Sequence, residues 1–377
     1  MKKKILWITS TFPLKTGDVE VPWMVELVSR LRKYYDIEIL APRYKGRGDT
    51  QVHGIPVHRL GYAPMPFEIL TYGSGMPSKI KNPVLWPWFL TYILLSRRKV
   101  KQLLKRKKYD IIYVNWPLPH IFMVPPTTIP IISKFYTAGL VFGKKLPILL
   151  DFILNKSTYV IFNSIFTMGF LFKGNIVVFI KRKFNFDTIY DLPKIKPIKR
   201  IEHQGFNILF VGRIIERKGV NYLIDAFLKI KDEDVNLDIV GTGKLDFPTM
   251  DLFNFHGRVS ESKLKELYSK ADVVVLPAII DKKGDTEGLG VVLIEAMSSG
   301  IPVIGTDVGG IPELIIPNKT GLLIEQKNII ALKEAILKIK NDKGLRDRLS
   351  KQGKEHIKKN FNWNVVIKKY KKVFNSV

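Results

Sequence analysis

The sequence predicts an α/β protein of two Rossmann-like, doubly wound domains, and three observations carry that prediction. The chain has 377 residues, more than one hydrophobic core ordinarily serves. Short apolar runs of strand length alternate with amphipathic runs of helix length in both halves, the pattern of a parallel sheet with crossover connections. A proline-bearing stretch of little periodicity, "DLPKIKPIKRIEHQG" from Asp191 to Gly205, separates the two series.

The first series opens on a strand at Lys4 to Ser10, a loop "TFPLKTGDVEVP" and a helix from Trp23 to Tyr34. A strand "DIEILAP" follows, then a less regular stretch from Pro42 to Pro83. "LWPWFLTYILLSRRKVKQLLKRKKYD" reads as a helix with an aromatic-aliphatic face and a basic tail. "IIYVNW" is a buried strand, and "PIISKFY" and "YVIFNS" are further strands with room for a helix between them. Past the linker the rhythm restarts: strand "NILFVGR", helix "GVNYLIDAFLKI", strand "VNLDIVGTG", helix "SKLKELYSKA", strand "DVVVLPA", helix "GVVLIEAMSSG", strand "PVIGT". "GLLI" makes a last strand before a helix from Asn328 to Lys340, and "FNWNVVIKKYKKVFNSV" is an amphipathic helix. The expected domains are therefore residues 1–192 and 206–360 with a linker at 193–205. The helix at 361–377 is expected to pack back on the first domain.

Composition narrows the function classes. Hydrophobic residues make up 46% of the chain, which excludes a disordered one, and cysteine is absent, which excludes disulfides, thiolate metal sites and cysteine nucleophiles. The N-terminal apolar run is shorter than the roughly 7–15 residues of a signal-peptide core. The longest apolar stretch, Pro83 to Leu95, is shorter than the ~20 residues of a spanning helix. A cytoplasmic protein, soluble or peripheral on the membrane face, is the expectation. The net charge is +27, of which residues 1–195 hold +19 (30 Lys/Arg against 11 Asp/Glu). Such an excess fits an anionic partner surface or a lysine-rich proteome.

Ligands of doubly wound sheets bind beyond the carboxyl ends of the strands, so the loops there hold the candidate residues. In "VGRIIERKG", Arg213 ends a strand and Lys218 stands before Gly219 and the next helix. A forked donor, a point charge and free helix amides suit a diphosphate; two surface cations are the plainer alternative. The loop lacks the GxxxxGK[ST] pattern, and "GTGKLD" does not complete GxGxxG. In "DTEGLGVVLIEAMSSG", Glu287 lies in a glycine-rich loop and Glu295 inside an apolar helix. No neighbour in sequence neutralises either carboxylate, and a buried carboxylate needs donors or takes up a proton. Ribose and sugar hydroxyls would supply donors, so the partners are expected to arrive with the ligand. Gly288 and Gly290 let the backbone approach it. A nucleotide-sugar site results. "DED" at Asp232 to Asp234 reads as a solvated turn, and no obligatory metal or cofactor is expected.

"VGRIIERKG", "VGTG", "FHGRVS", "LYSKADVVVLPA", "EGLGVVLIEAMSSGIPVIGTDVGGIPELI" and "GLLI" stand in the order found in the group 1 (family 4) retaining glycosyltransferases, and the second domain closely resembles that family. The resemblance covers about 140 residues, with the E-x7-E spacing its most specific piece. It implies the GT-B architecture, two Rossmann-like domains facing across a cleft. It also implies transfer from a UDP-, GDP- or ADP-sugar to a lipid-linked or glycan acceptor, with retention at the anomeric carbon. By resemblance, Arg213 and Lys218 hold the donor diphosphate, Glu287 contacts the transferred sugar, and the amides of Leu289 and Gly290 meet sugar or phosphate. Glu295 takes the ribose hydroxyls, Val259 the base, and Gly17 the phosphates from the first domain, although the family's glycine pair is Gly-Asp here. The family's H-G-x-D histidine is missing from "SKFYTAGLVFG"; its place falls to Tyr136 or Thr137, with His120 and Asn115 as other first-domain candidates.

Rival readings are a GT-B phosphorylase or nucleotide-sugar epimerase, a catalytically impaired relative, and, more remotely, a basic nucleic-acid-binding protein. The dispersed charge and the lack of a nucleic-acid motif speak against the last. The segment "WPWFLTYILL…RRKVKQLLKRKK" is either a surface amphipath facing anionic lipid or a core helix with a solvated end. The sequence leaves the oligomeric state undetermined.

Overall fold

The central strands of both sheets are short and mostly apolar, as parallel strands covered on both faces must be. The computed structural model describes residues 2–18, 20–72, 76–136, 147–172, 185–193, 197–243 and 253–377. Its strands are β1 (Lys4–Ile8), β2 (Asp36–Pro42), β3 (Gln51–Val52), β4 (Ile55–Leu60), β5 (Ile111–Asn115), β6 (Ile131–Phe135), β7 (Tyr159–Phe162) and β8 (Asn185–Thr188), then β9 (Phe206–Val211), β10 (Val235–Val240), β11 (Asn254–Gly257), β12 (Val273–Leu276), β13 (Val303–Thr306) and β14 (Leu322–Ile324). The longer helices are α1 (Pro22–Leu31), α2 (Trp86–Arg106), α3 (Pro147–Lys156), α4 (Ile165–Phe172), α5 (Val220–Leu228), α6 (Glu261–Lys270), α7 (Val291–Ser298), α8 (Ile329–Asn341), α9 (Lys343–Asn360) and α10 (Trp363–Asn375).

The chain divides into two compact units, Met1–Asn163 with Met168–Lys194 and Val366–Val377, and Ser164–Thr167 with Ile195–Val365. The first unit holds an eight-stranded sheet in the order β3-β4-β2-β1-β5-β6-β7-β8, parallel except for the β3/β4 hairpin. The second holds a six-stranded, fully parallel sheet in the order β11-β10-β9-β12-β13-β14. That second order is the doubly wound one, in which strand sequence reverses between the first and fourth strands. Here the reversal falls between β9 and β12, and in the first sheet between β1 and β5. Ligands of doubly wound sheets bind at such reversals, so these are the candidate crevices of the two units.

Local signals set the helix starts. Ser260, Asn328 and Asp342 cap α6, α8 and α9 through side-chain oxygens that accept from the amides of Lys263, Ala331 and Leu345. The terminal helix α10 buries Tyr370 and Phe374; the Tyr370 hydroxyl meets that of Tyr113 at 3.1 Å, and the Phe374 ring packs edge-on against Tyr35. No described helix is long and apolar enough to cross a membrane.

Four elements differ from the sequence expectation. The stretch from Pro42 to Pro83 is not irregular throughout: β4 runs parallel to β2 and extends the main sheet. Prolines and glycines around it masked a short alternating run. The helix after "VEVP" ends at Leu31 rather than Tyr34, where the chain must turn into β2. β8 pairs with β7, although "NFDT" is polar and ends the sheet. Residues 343–360, left unassigned by sequence, form the 18-residue α9, whose only buried positions are Leu345, Leu349, Gly353 and Ile357. So narrow an apolar stripe is hard to see among its lysines.

Candidate functional site

The β9/β12 reversal brings two loops together, residues 212–219 after β9 and 277–290 after β12. Their approach is close because Gly219, with φ +67°, passes against the strand end: a Cβ there would sit 1.8 Å from the Pro277 carbonyl oxygen. The second loop is pinned from β13's side by Gly309, whose added Cβ would meet the Glu287 carbonyl oxygen at 1.9 Å. The Gly310 amide donates to that same oxygen at 3.0 Å. Two glycine-dependent contacts therefore hold the backbone of Glu287 and the start of α7 in place.

Into this frame the first loop sends three cations. Lys218 donates to a Glu287 carboxylate oxygen, and Arg217 lies 3.7 Å from the same oxygen and 3.4 Å from Asp285. Arg217 also donates to the Thr286 carbonyl at 3.0 Å. The Glu287 side chain is only 12% exposed. Burial would raise its pKa, but Lys218, Arg217 and the Gly290 amide outweigh that and hold it below the usual carboxylate range. Arg213 is different: it is exposed, and its guanidinium makes no hydrogen bond or ion pair with a described residue. Burial of part of its length and the neighbouring Arg217 cation lower its pKa.

Glu295 projects from α7 toward α6 and accepts a hydrogen bond from the Tyr268 hydroxyl at 2.9 Å. Burial raises its pKa, and the Tyr268 hydrogen bond offsets part of that rise. Val259 is half-buried just before the cap of α6, the helix that carries Tyr268. Val259 thus precedes the start of α6, and Tyr268, the partner of Glu295, stands in its last turn. Gly288, Leu289 and Gly290 form the entry to α7, with Gly290 at its N-cap and Leu289 buried.

The expectation that no group of the chain neutralises the two glutamates is corrected here. Lys218 and Arg217, 69 and 70 positions away in sequence, neutralise Glu287, and Tyr268 supplies the donor for Glu295. Arg217, Asp285 and Tyr268 were missed. The clue for Arg217 was three cations in one loop of "GRIIERKG", of which only two had been assigned.

In the first unit the β1/β5 reversal gathers other candidates. Gly17 lies in the loop after β1 with φ +88° and open space around the position of a Cβ. Next to it, Asp18 caps the Leu14 amide and accepts from the Tyr72 hydroxyl, so the Asp of the Gly-Asp pair shapes the loop. Asn115 ends β5, fully buried; its Oδ1 accepts from the Tyr136 hydroxyl at 3.1 Å, and its Nδ2 has no partner among the described residues. Tyr136 packs against the rings of Trp116 and Trp23, with centroids 5.1 and 6.3 Å away. Lys134, also fully buried, pairs with Asp191 and donates to Tyr370. Thr137 lies outside the described residues.

His120 is a core group and not a ligand-facing one. It is 1% exposed, with Nδ1 2.6 Å from the Trp116 carbonyl oxygen and Nε2 3.1 Å from the Tyr92 hydroxyl. Burial lowers its pKa to about 4. Asp232 likewise is occupied structurally, by Lys340 and the Asp234 amide. Among the described residues no group of three His, Cys, Asp or Glu comes together as a metal site.

Residues 191–356 match the family described as Glycosyl transferases group 1. An uncharacterized glycosyltransferase of Methanocaldococcus jannaschii is 36% identical over 178 residues, 45% of this chain and 48% of its own length. A GDP-mannose-dependent monoacylated alpha-(1-6)-phosphatidylinositol monomannoside mannosyltransferase of Corynebacterium glutamicum is 30% identical over 165 residues, 41% of this chain and 43% of its own. The chain spans about half the length of these curated relatives. Among solved structures, sucrose-phosphate synthase from Thermosynechococcus elongatus superposes with a TM-score of 0.77 at 19% identity, covering 100% of this chain and 99% of its own. Anabaena HepE in complex with UDP-glucose gives 0.68 at 15% identity, covering 99% and 100%. The fold is the GT-B class of two Rossmann-like domains.

Proposed function

We propose, from the match of residues 191–356 to the group 1 glycosyl transferases, that the protein transfers a sugar from a nucleoside-diphosphate sugar to a hydroxyl of a lipid-linked or glycan acceptor, with retention at the anomeric carbon. The carrying observation is the trio Arg213, Arg217 and Lys218 beside Glu287 and the N-terminus of α7, at the strand-order reversal of the second sheet. Three cations against Glu287 and Asp285 leave one positive charge in excess, which favours a phosphate. An ammonium has three donors, so Lys218 can keep Glu287 and still reach a diphosphate oxygen. Arg213 has its whole fork available. As the glycosidic bond breaks, negative charge grows on the leaving diphosphate, and fixed cations at that point lower the barrier electrostatically.

Glu287 serves two ends. Its depressed pKa keeps it an acceptor for hydroxyls of the transferred sugar, and its charge orients Lys218. Because it is already bound to two cations, it is a poor nucleophile, which supports front-face substitution over a covalent intermediate. In that step the acceptor oxygen bonds to the anomeric carbon on the face from which the diphosphate departs, and the acceptor proton passes to the leaving phosphate oxygen. Trapping a glycosylated Glu287 during turnover would refute it. Glu295 and Tyr268 would meet the ribose hydroxyls, and Val259 the base.

The test is binding and turnover against UDP-, GDP- and ADP-sugars, with Glu287→Ala as control. HepE with UDP-glucose and the GDP-mannose-dependent relatives justify the first two. Tight binding of one nucleotide sugar, with turnover abolished in Glu287→Ala, is the expected result. Binding of none would sink the reading.

A further inference from the structure

The helix α2 (Trp86–Arg106) turns Tyr92, Ser96, Val100 and Leu103 inward, the spacing of a single buried stripe. Opposite that stripe, the i, i+4 row of Trp86, Leu90 and Leu94 stands 57%, 59% and 63% exposed. Val84, in the preceding turn, is 66% exposed. The same outward row continues toward the C-terminus as Arg98, Lys101 and Lys105, all exposed. From Pro83 to Tyr109 there are eight Lys or Arg and no Asp or Glu. Scattered exposed apolar residues are ordinary on a protein surface; a row of large ones running into a row of cations is not.

We propose that this face of α2 docks on an anionic lipid bilayer, with Trp86, Leu90 and Leu94 entering the headgroup–acyl boundary and Arg98, Lys101 and Lys105 at the phosphate level. Charge complementarity selects the occupant, since juxtamembrane cations each gain about 1 kcal/mol near an anionic leaflet. The leucines select a bilayer over a nucleic acid, because they neither stack on bases nor pair with phosphates. A helix of 21 residues is about 30 Å long, enough for its first three turns to dip while its last turns stay at the surface. For the transferase reading this narrows the acceptor to a lipid-linked one, and it rests on that reading only in this consequence.

The experiment uses the full chain without donor or acceptor. Co-sedimentation is measured with phosphatidylglycerol–phosphatidylcholine vesicles and with phosphatidylcholine vesicles, at low and high salt. Binding to the anionic vesicles, weakened by salt, is expected. Leu90→Ser with Leu94→Ser should lower the partition coefficient at least tenfold, as should Arg98→Glu with Lys101→Glu and Lys105→Glu. The cysteine-free chain permits a direct readout: an environment-sensitive dye on Leu94→Cys should shift to the blue with anionic vesicles and not with phosphatidylcholine vesicles. No binding at low salt, binding unaffected by the leucine substitutions, or an equal dye shift with both kinds of vesicle overturns the proposal. So does binding to an oligonucleotide in place of vesicles. Arg213→Ala separates this from the transferase reading: it should keep vesicle binding while losing donor affinity.

Discussion

The two strand-order reversals of this chain treat their polar groups in opposite ways. At the β1/β5 reversal of the first unit, His120, Lys134 and Tyr136 are each tied to protein partners and largely enclosed. At the β9/β12 reversal of the second, Lys218 and Arg217 share the Glu287 carboxylate, Arg217 also reaching Asp285, and the Arg213 guanidinium makes no hydrogen bond or ion pair with a described residue. The first arrangement stabilises a fold. The second keeps capacity for a charged ligand at some cost in self-repulsion between Arg213 and Arg217. Polarity at a crevice therefore does not identify a site; polarity with donors left over does.

Substitutions can break that contrast. Lys218→Ala has the largest expected effect, because it removes a donor to the leaving group and leaves Glu287 less compensated. Loss of such a stabilising group costs about 10²–10³-fold in kcat, and urea unfolding should show about 3 kcal/mol of destabilisation as well. A variant with unchanged stability and unchanged kcat would erase the distinction drawn above.

The pH dependence of stability comes next, and it concerns the first unit. His120 has a folded pKa of about 4 against 6.5 for an ordinary histidine. The unfolded chain then binds a proton below pH 6.5 that the folded chain refuses until about pH 4, so stability is full above 6.5 and falls through that window. The loss is about 3 kcal/mol by the end of it. Urea midpoints at successive pH values should show it, and His120→Gln should flatten it. Glu38 extends the acid limb: held to about 2 by Lys107, His58 and Tyr109 against the effect of burial, it contributes stability that is full above the ordinary value of 4.5 and lost toward pH 2.

Arg213→Ala should separate binding from folding. A charge-assisted hydrogen bond is worth roughly 1.5–3 kcal/mol, so donor affinity by calorimetry should fall about tenfold or more while the thermal midpoint stays put. A lowered midpoint would mean that Arg213 has a structural role after all. Tyr268→Phe has the smallest expected effect, about 1 kcal/mol. It deprives Glu295 of the donor that limits its pKa rise, so the donor KM should worsen most on the acid side and recover as pH rises. A pH-independent change would remove Glu295's ionisation from the account.

Much of the second unit was legible in sequence. "NILFVG", "VNLDIV" and "DVVVLP" are strands because β-branched runs bounded by glycine and proline have few other folds. "GVVLIEAMSSG" is a helix closed by Gly300, whose φ of +71° suits the left-handed residue that follows a helix end. The first unit was less so: β4, with "IPVHRL", and β8, with "NFDT", carry polar residues at a sheet's flank, where one face is wet and the apolar signal halves. Arg213, Lys218, Glu287 and Glu295 could be singled out by residue type and loop position, as could the exposed basic tail of α2.

The sequence by itself determined the alternation of strands and helices, the loops that would carry chemistry, and the residue types in them. These depend on periodicity and local sterics, which act over a few neighbouring positions. Only the tertiary structure decided partners: that Lys218 and Arg217 meet Glu287, that Tyr268 reaches Glu295, that His120 closes on Tyr92, and that Leu90 and Leu94 face outward. Those pairings join groups up to 70 positions apart through the order of strands in a sheet. Strand order follows from burying both faces of the whole sheet at once, and no local stretch of sequence encodes it.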